Sequence, residues 1–270
     1  MPEMAGELPP AEESRDGLTA MSFLDHLEEL RRRLIYSILA VTVGFFACWN
    51  YHEFIIGVVQ RPIMDALHRN GMAEKLVYLN PTEPFNLYLK VAALAGLFVT
   101  SPFVLYQVWM FISPGLYRHE KRYVFPFMFS TVFLFLAGGA FAYKMVYPAA
   151  LTFLIDYGKQ FQPMITIGEY TDLFLTIMIG MGAIFEMPIL VFFLALMGIV
   201  NAGWMWRNLR YSILVIFIIA AIITPTTDIL NMCIFAAPMV ALYVLSIGIA
   251  WLVHPKQRKA RQARKSDDKQ

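Results

Sequence analysis

The sequence predicts an all-α polytopic membrane protein: six transmembrane helices in a cupped, concave arrangement, with the N-terminus and C-terminus both cytoplasmic. Three observations predict it. The 270 residues are 58% hydrophobic and only 16% charged, where a soluble domain carries about 25% charge. The apolar residues are bunched into runs over Leu34–Trp49, Phe85–Ile112, Tyr123–Tyr147, Leu173–Met197, Tyr211–Ile223 and Ile229–Val253. Lysine and arginine then alternate in density from one gap to the next, which sets orientation.

With the N-terminus inside, the cytoplasmic segments hold Arg15, Arg31, Arg32 and Arg33, then Arg118, Lys121 and Arg122, then Arg207 and Arg210, and finally the bases from Lys256 to Lys269. These are sixteen of the 22 basic residues. Arg61, Arg69, Lys75, Lys90, Lys144 and Lys159 fall on the other side. Lys90 and Lys144 lie near span ends, where long side chains reach the headgroups.

Taken in order, residues 1–20 are rich in Pro, Glu, Gly and Ala without apolar patterning and read as a disordered lead-in. Ser22 offers an N-cap, and Phe23, Leu27, Leu30 and Leu34 recur at helical spacing. This predicts an amphipathic helix on the cytoplasmic face that then turns into the membrane. Arg31-Arg32-Arg33 before an apolar run has the look of a secretory leader, but the run ends in Phe-Phe-Ala-Cys-Trp-Asn without a small-residue cleavage site. It is read as a retained first helix.

Four of the runs reach the ~17 to 25 residues a span needs. The first and fifth are shorter and by length alone suit interfacial or re-entrant segments; each follows a basic cluster and restores the alternation of charge, so both are read as spans. The segment from Asn50 to Pro84 carries an apolar stripe through Phe54, Ile55, Val58, Val59, Ile63 and Leu67, interrupted at Pro62. It predicts short helices over the outer mouth, and Pro148 to Asp172 predicts more of the same cap. Pro102, Pro126, Pro188 and Pro238 fall inside spans, where each frees a carbonyl and can bend its helix. The division is thus 1–20 lead-in, 21–253 transmembrane domain, 254–270 basic cytoplasmic tail against anionic lipid.

Several function classes are disfavoured. A net charge of +2 makes no case for nucleic acid. Cys48 and Cys233 are isolated, and the five histidines lack the i, i+4 spacing of a zinc protease. No Gly-rich phosphate loop is present. The reading is of a protein that is not an enzyme and needs no cofactor.

Two polar features remain. Glu186 stands inside the apolar run Leu173–Met197, roughly 16 to 20 Å from either end at 1.5 Å per residue. A charge at that depth costs about 2.5 to 3.5 kcal/mol on insertion scales, so it marks a polar event within the membrane: a proton relay, a docking point, or a protonated carboxyl bonded to a neighbouring helix. The second is Ser101 to Glu120, where a span ends in Tyr106, Trp109, Phe111 and Tyr117, turns at Pro114-Gly115, and presents Glu120 among bases. An aromatic belt with a charged loop accounts for these residues; so does capture of a guanidinium by a carboxylate beside aromatic rings.

His26-Leu-Glu-Glu-Leu-Arg-Arg-Arg-Leu34, Pro81-Thr-Glu-Pro84, the segment Ser101 to Arg122 and Phe185-Glu-Met-Pro188 together resemble the TatC family, from about Met21 to Trp251. The resemblance implies a multi-pass protein of the bacterial cytoplasmic membrane, the receptor and core subunit of the twin-arginine translocase, which exports folded proteins using the proton-motive force. It places capture of the signal peptide's arginines on Glu120 and Glu29, with Phe111 nearby. Intrahelical pairing of Glu28 and Glu29 with Arg31, Arg32 and Arg33 is the competing account of those carboxylates. It further implies an intramembrane polar role for Glu186 on the concave face, and structural roles in the outer cap for Pro62 and Asp228. Its partners would be twin-arginine signal peptides, small single-span subunits of TatA and TatB type, further copies of the chain, and the lipid bilayer. The alternative is a proton-coupled small-molecule transporter with Glu186 as relay, which leaves Glu29 and Glu120 idle.

Overall fold

The computed structural model describes residues 23–72, 75–112, 124–158, 160–161, 164–224 and 229–267. The expectations for residues 1–20, Glu120 and Asp228 lie outside them. Ten α-helices are described, together with one short π-helical segment and one isolated bridge.

Helix α1 spans Phe23–Trp49 without interruption. The expected surface helix and first span are therefore one rod of about 40 Å. No glycine or proline stands between Phe23 and Val43 to break the backbone ladder. Helix α2, His52–Arg69, likewise runs through Pro62 instead of stopping there. Helix α3 spans Glu83–Ile112.

The next span is composite: α4 (Val124–Phe141), a π-helical segment (Ala142–Val146) and α5 (Tyr147–Tyr157) follow without a break. Pro148 lacks the amide that would reach back to Lys144, and the Tyr147 amide instead closes a wide turn onto Ala142.

Helices α6 (Ile167–Phe185) and α7 (Met187–Leu196) meet at Glu186. Glu186 is thus not in mid-helix, as its position in the apolar run implied, but at a junction. Pro188 explains this: it has no N–H for the Ile184 carbonyl, and the Glu186 amide turns tightly onto Ala183 at 3.1 Å. Helices α8 (Ala202–Arg207), α9 (Leu209–Ile223) and α10 (Ile229–Asp267) complete the described residues.

Among the described residues, five helical stretches are long and apolar enough to cross a membrane: Leu24–Trp49, Glu83–Ile112, Phe127–Tyr157, Ile167–Leu196 and Met232–Leu252. The sixth run lies in α9, whose 15 residues rise only about 22 Å, less than the ~30 Å hydrocarbon core.

Helix α1 packs chiefly on α3, and glycine is what lets the two backbones touch. A Cβ on Gly96 would lie 2.6 Å from the Phe45 amide nitrogen, and one on Gly44 would lie 2.8 Å from the Gly96 carbonyl. The main core lies among the later helices, where Tyr147, Ile177, Met181, Phe235 and Met239 are fully buried.

Helix α2 caps one end of the bundle, burying Ile56, Val59, Pro62 and Ile63. A two-bond bridge between Val77 and the Ile165–Ile167 backbone ties the chain after α2 to the start of α6. Beside this cap end the shortness of α9 matters. Its last residue, Ile223, meets α6 at Gly180, about 20 Å along that helix from its start. Above the contact a cavity of about 650 Å³ opens between Leu151 and Leu154 of α5, Asp172 and Thr176 of α6, and Ile222.

Candidate functional site

At the end of the bundle away from the cap, the start of α1 lies against the end of α3. Glu29 and Arg33 are one helical turn apart, so their side chains share a face. The Arg33 guanidinium donates through one terminal nitrogen to Glu29 Oε1 at 3.2 Å and through the other to Gln107 Oε1 of α3 at 3.1 Å. Glu29 is 8% exposed and Gln107 4%. This is no solvated surface pair of the kind that contributes little, but a charged link between two helices, largely out of solvent.

The link is incompletely satisfied. Glu29 Oε2 and Arg33 Nε are both buried and have no hydrogen-bond partner among the described residues. One turn beyond Gln107 on the same helix face, Phe111 stacks on His26 with ring centroids 4.4 Å apart and planes at 18°. The arrangement is a carboxylate with one oxygen unspent, a carboxamide, and a stacked ring pair. Such a set suits a planar cation, which can fork onto the carboxylate and lie against an aromatic face.

Glu29 and Phe111 therefore lie at one helix-pair end, while Glu120 lies outside the described residues. Intrahelical pairing of Glu29 is also present, through Arg33 specifically. The sequence alone does not single out Gln107 or His26. The available signal was an amide side chain inside an apolar span, four residues before Phe111. Trp109, grouped with the belt aromatics, is instead a buried anchor: its indole donates to Thr131 Oγ1 at 2.8 Å and its ring packs on Phe193 at 4.1 Å.

Glu186 stands apart on the α6–α7 junction, half-buried, with Oε1 buried and unpartnered among the described residues. Pro62, at the cap, is buried in α2. Having no N–H, it cannot serve the Val58 carbonyl. The Tyr143 hydroxyl from the π-helical segment donates to that carbonyl at 2.7 Å, and the Tyr170 hydroxyl from α6 donates to the next one, Val59. Pro62 thereby frees the acceptor through which Tyr143 is held to α2. Asp228 lies outside the described residues.

Residues 25–238 match the family model of the Sec-independent protein translocase protein TatC. A TatC protein of Koribacter versatilis is 72% identical over 249 residues, covering 92% of both chains. One from Aquifex aeolicus is 33% identical over 246 residues, covering 90% of this chain and all of that one. Among solved structures, a crystal structure of a twin-arginine translocase receptor, TatC, superposes with a TM-score of 0.75 at 33% identity, covering 85% of this chain and 99% of the other.

Proposed function

The chain belongs to the TatC family of Sec-independent protein translocase proteins, and from that premise we propose that it is the receptor for twin-arginine signal peptides. Family membership makes it a multi-pass protein of the bacterial cytoplasmic membrane and a component of a protein translocase, which sets the small-molecule transporter aside.

The observation that carries the receptor reading is the largely buried Glu29 carboxylate, held beside the His26–Phe111 stack with one oxygen unspent. A signal arginine docks there, and its neighbour docks on Glu120. Both chain termini, and this recognition end, face the cytoplasm; the α2 cap faces outward. Helix α9 makes the sixth crossing despite its length, across a locally thinned bilayer.

After docking, the apolar part of the signal lies along the cupped face near Glu186, and TatA-type and TatB-type subunits pack against the spans, with further copies of the chain in the receptor complex. The proton-motive force drives export of the folded cargo. Asp228, like Pro62, has a structural role in the outer cap.

The test is export of a folded reporter carrying a twin-arginine signal. Glu120→Ala and Glu29→Ala each abolish export while the protein stays abundant and folded. Normal export by both variants removes the receptor reading at this site.

A further inference from the structure

Arg33 occupies the carboxylate that the receptor reading assigns to a ligand cation. It is itself a guanidinium, held 3.2 Å from Glu29 Oε1 and 3.1 Å from Gln107 Oε1. Its attachment one turn along the same helix prevents it from using the site fully. It touches a single carboxylate oxygen, leaving Glu29 Oε2 and its own Nε buried without partners among the described residues.

A guanidinium arriving from outside the helix has no such tether. It can present two parallel N–H groups and satisfy both carboxylate oxygens, the geometry in which arginine binds carboxylate most strongly. An ammonium is a point charge with no fork.

We propose that Arg33 is an internal competitor that sets the affinity threshold of the site: a ligand binds Glu29 only by displacing a resident arginine, and Gln107 receives the displaced guanidinium on α3. This rests on the receptor reading above and goes beyond it, because it assigns the threshold a signal must exceed to a residue that need not touch the ligand. Every ligand meets the same cost of displacing Arg33, and a lysine, with no fork, does not exceed it. A signal arginine exchanges like for like and gains the second contact. Gln107 keeps Arg33 near the site, so that exchange does not strand a buried cation.

The experiment is equilibrium binding of two synthetic signal peptides, one with Arg-Arg and one with Lys-Lys, to the full chain in lipid nanodiscs. Arg33→Gln raises both affinities by the same factor, about tenfold, and leaves their ratio unchanged. Gln107→Met leaves the charges intact but strands the displaced cation, and lowers both affinities. Arg33→Lys, which keeps a cation at the position, gives affinities between wild type and Arg33→Gln and decides the matter if Arg33→Gln does not fold.

A merely structural tie between α1 and α3 leaves both affinities no higher in Arg33→Gln than in the wild type; that result overturns the proposal. So does a loss of Arg-Arg binding in Arg33→Gln, which makes Arg33 part of the ligand contact. Glu29→Gln separates the two levels. If it fails to weaken Arg-Arg binding, the receptor reading is itself wrong at Glu29; if it weakens binding while the Arg33 variants leave both affinities alone, only the competitor is wrong.

Discussion

Tyr143 donates its hydroxyl hydrogen to the Val58 carbonyl at 2.7 Å, and Val58 is the residue whose carbonyl Pro62 leaves without an amide. A proline inside α2 has thus become an attachment point: the acceptor it frees is used by a helix 85 residues further along the chain. Tyr143 itself sits in the π-helical segment Ala142–Val146, so two backbone irregularities meet at one hydrogen bond.

Removing that hydroxyl with Tyr143→Phe leaves a carbonyl unpartnered and costs about 1 to 3 kcal/mol, read as a drop in the unfolding midpoint of the purified protein. Pro62→Ala restores the missing amide, so the Tyr143→Phe penalty shrinks in that background. Equal penalties in both backgrounds mean that Pro62 and Tyr143 are not coupled in this way.

The contact between α1 and α3 depends on a backbone approach that no side chain at position 96 can share, since a Cβ there lies 2.6 Å from the Phe45 nitrogen. Gly96→Val pushes the two helices apart at a cost of about 1 to 3 kcal/mol and loosens the Arg33–Gln107 bond with them. Spin labels at the exposed positions Ile38 and Phe103 report the change as a longer distance. An unchanged distance contradicts the packing argument.

Glu186 carries an oxygen that is buried and unpartnered among the described residues. Glu186→Leu removes the unsatisfied group and raises stability by about 1 kcal/mol, yet abolishes export of a twin-arginine reporter. Glu186→Gln, which keeps a hydrogen-bonding end without the charge, retains export. Export by Glu186→Leu at the wild-type rate shows that the carboxyl has no role in transport.

Much of this fold is legible in the sequence because membrane helices announce themselves by composition: apolar runs and the spacing of lysine and arginine locate them without any knowledge of packing. What local reading misplaces is the consequence of each proline. Pro62 reads as an interruption because its missing amide is visible and the hydroxyl of Tyr143, which compensates for it, is far away in sequence. Pro188 stands two residues after Glu186, yet the apolar run around them hides the junction it makes.

Glu29 and Phe111 are legible as candidate site residues only through the family pattern. Their helices are brought together by the Gly44–Gly96 crossing, a contact between residues 52 apart that helical periodicity does not encode. Gln107 is not legible in the sequence for a related reason: an amide in an apolar span gains meaning only where Arg33 of another helix reaches it.

The central claim is that signal arginines dock where α1 meets α3. Site-specific photocrosslinking tests it most directly, with the probe beside the arginine pair of a signal peptide and the full chain in membranes. The account predicts crosslinks to the start of α1 around Glu29 and to the end of α3 around Phe111, lost when the peptide carries Lys-Lys or the receptor carries Glu29→Gln. Crosslinks confined to the α2 cap, or unchanged by both substitutions, contradict it.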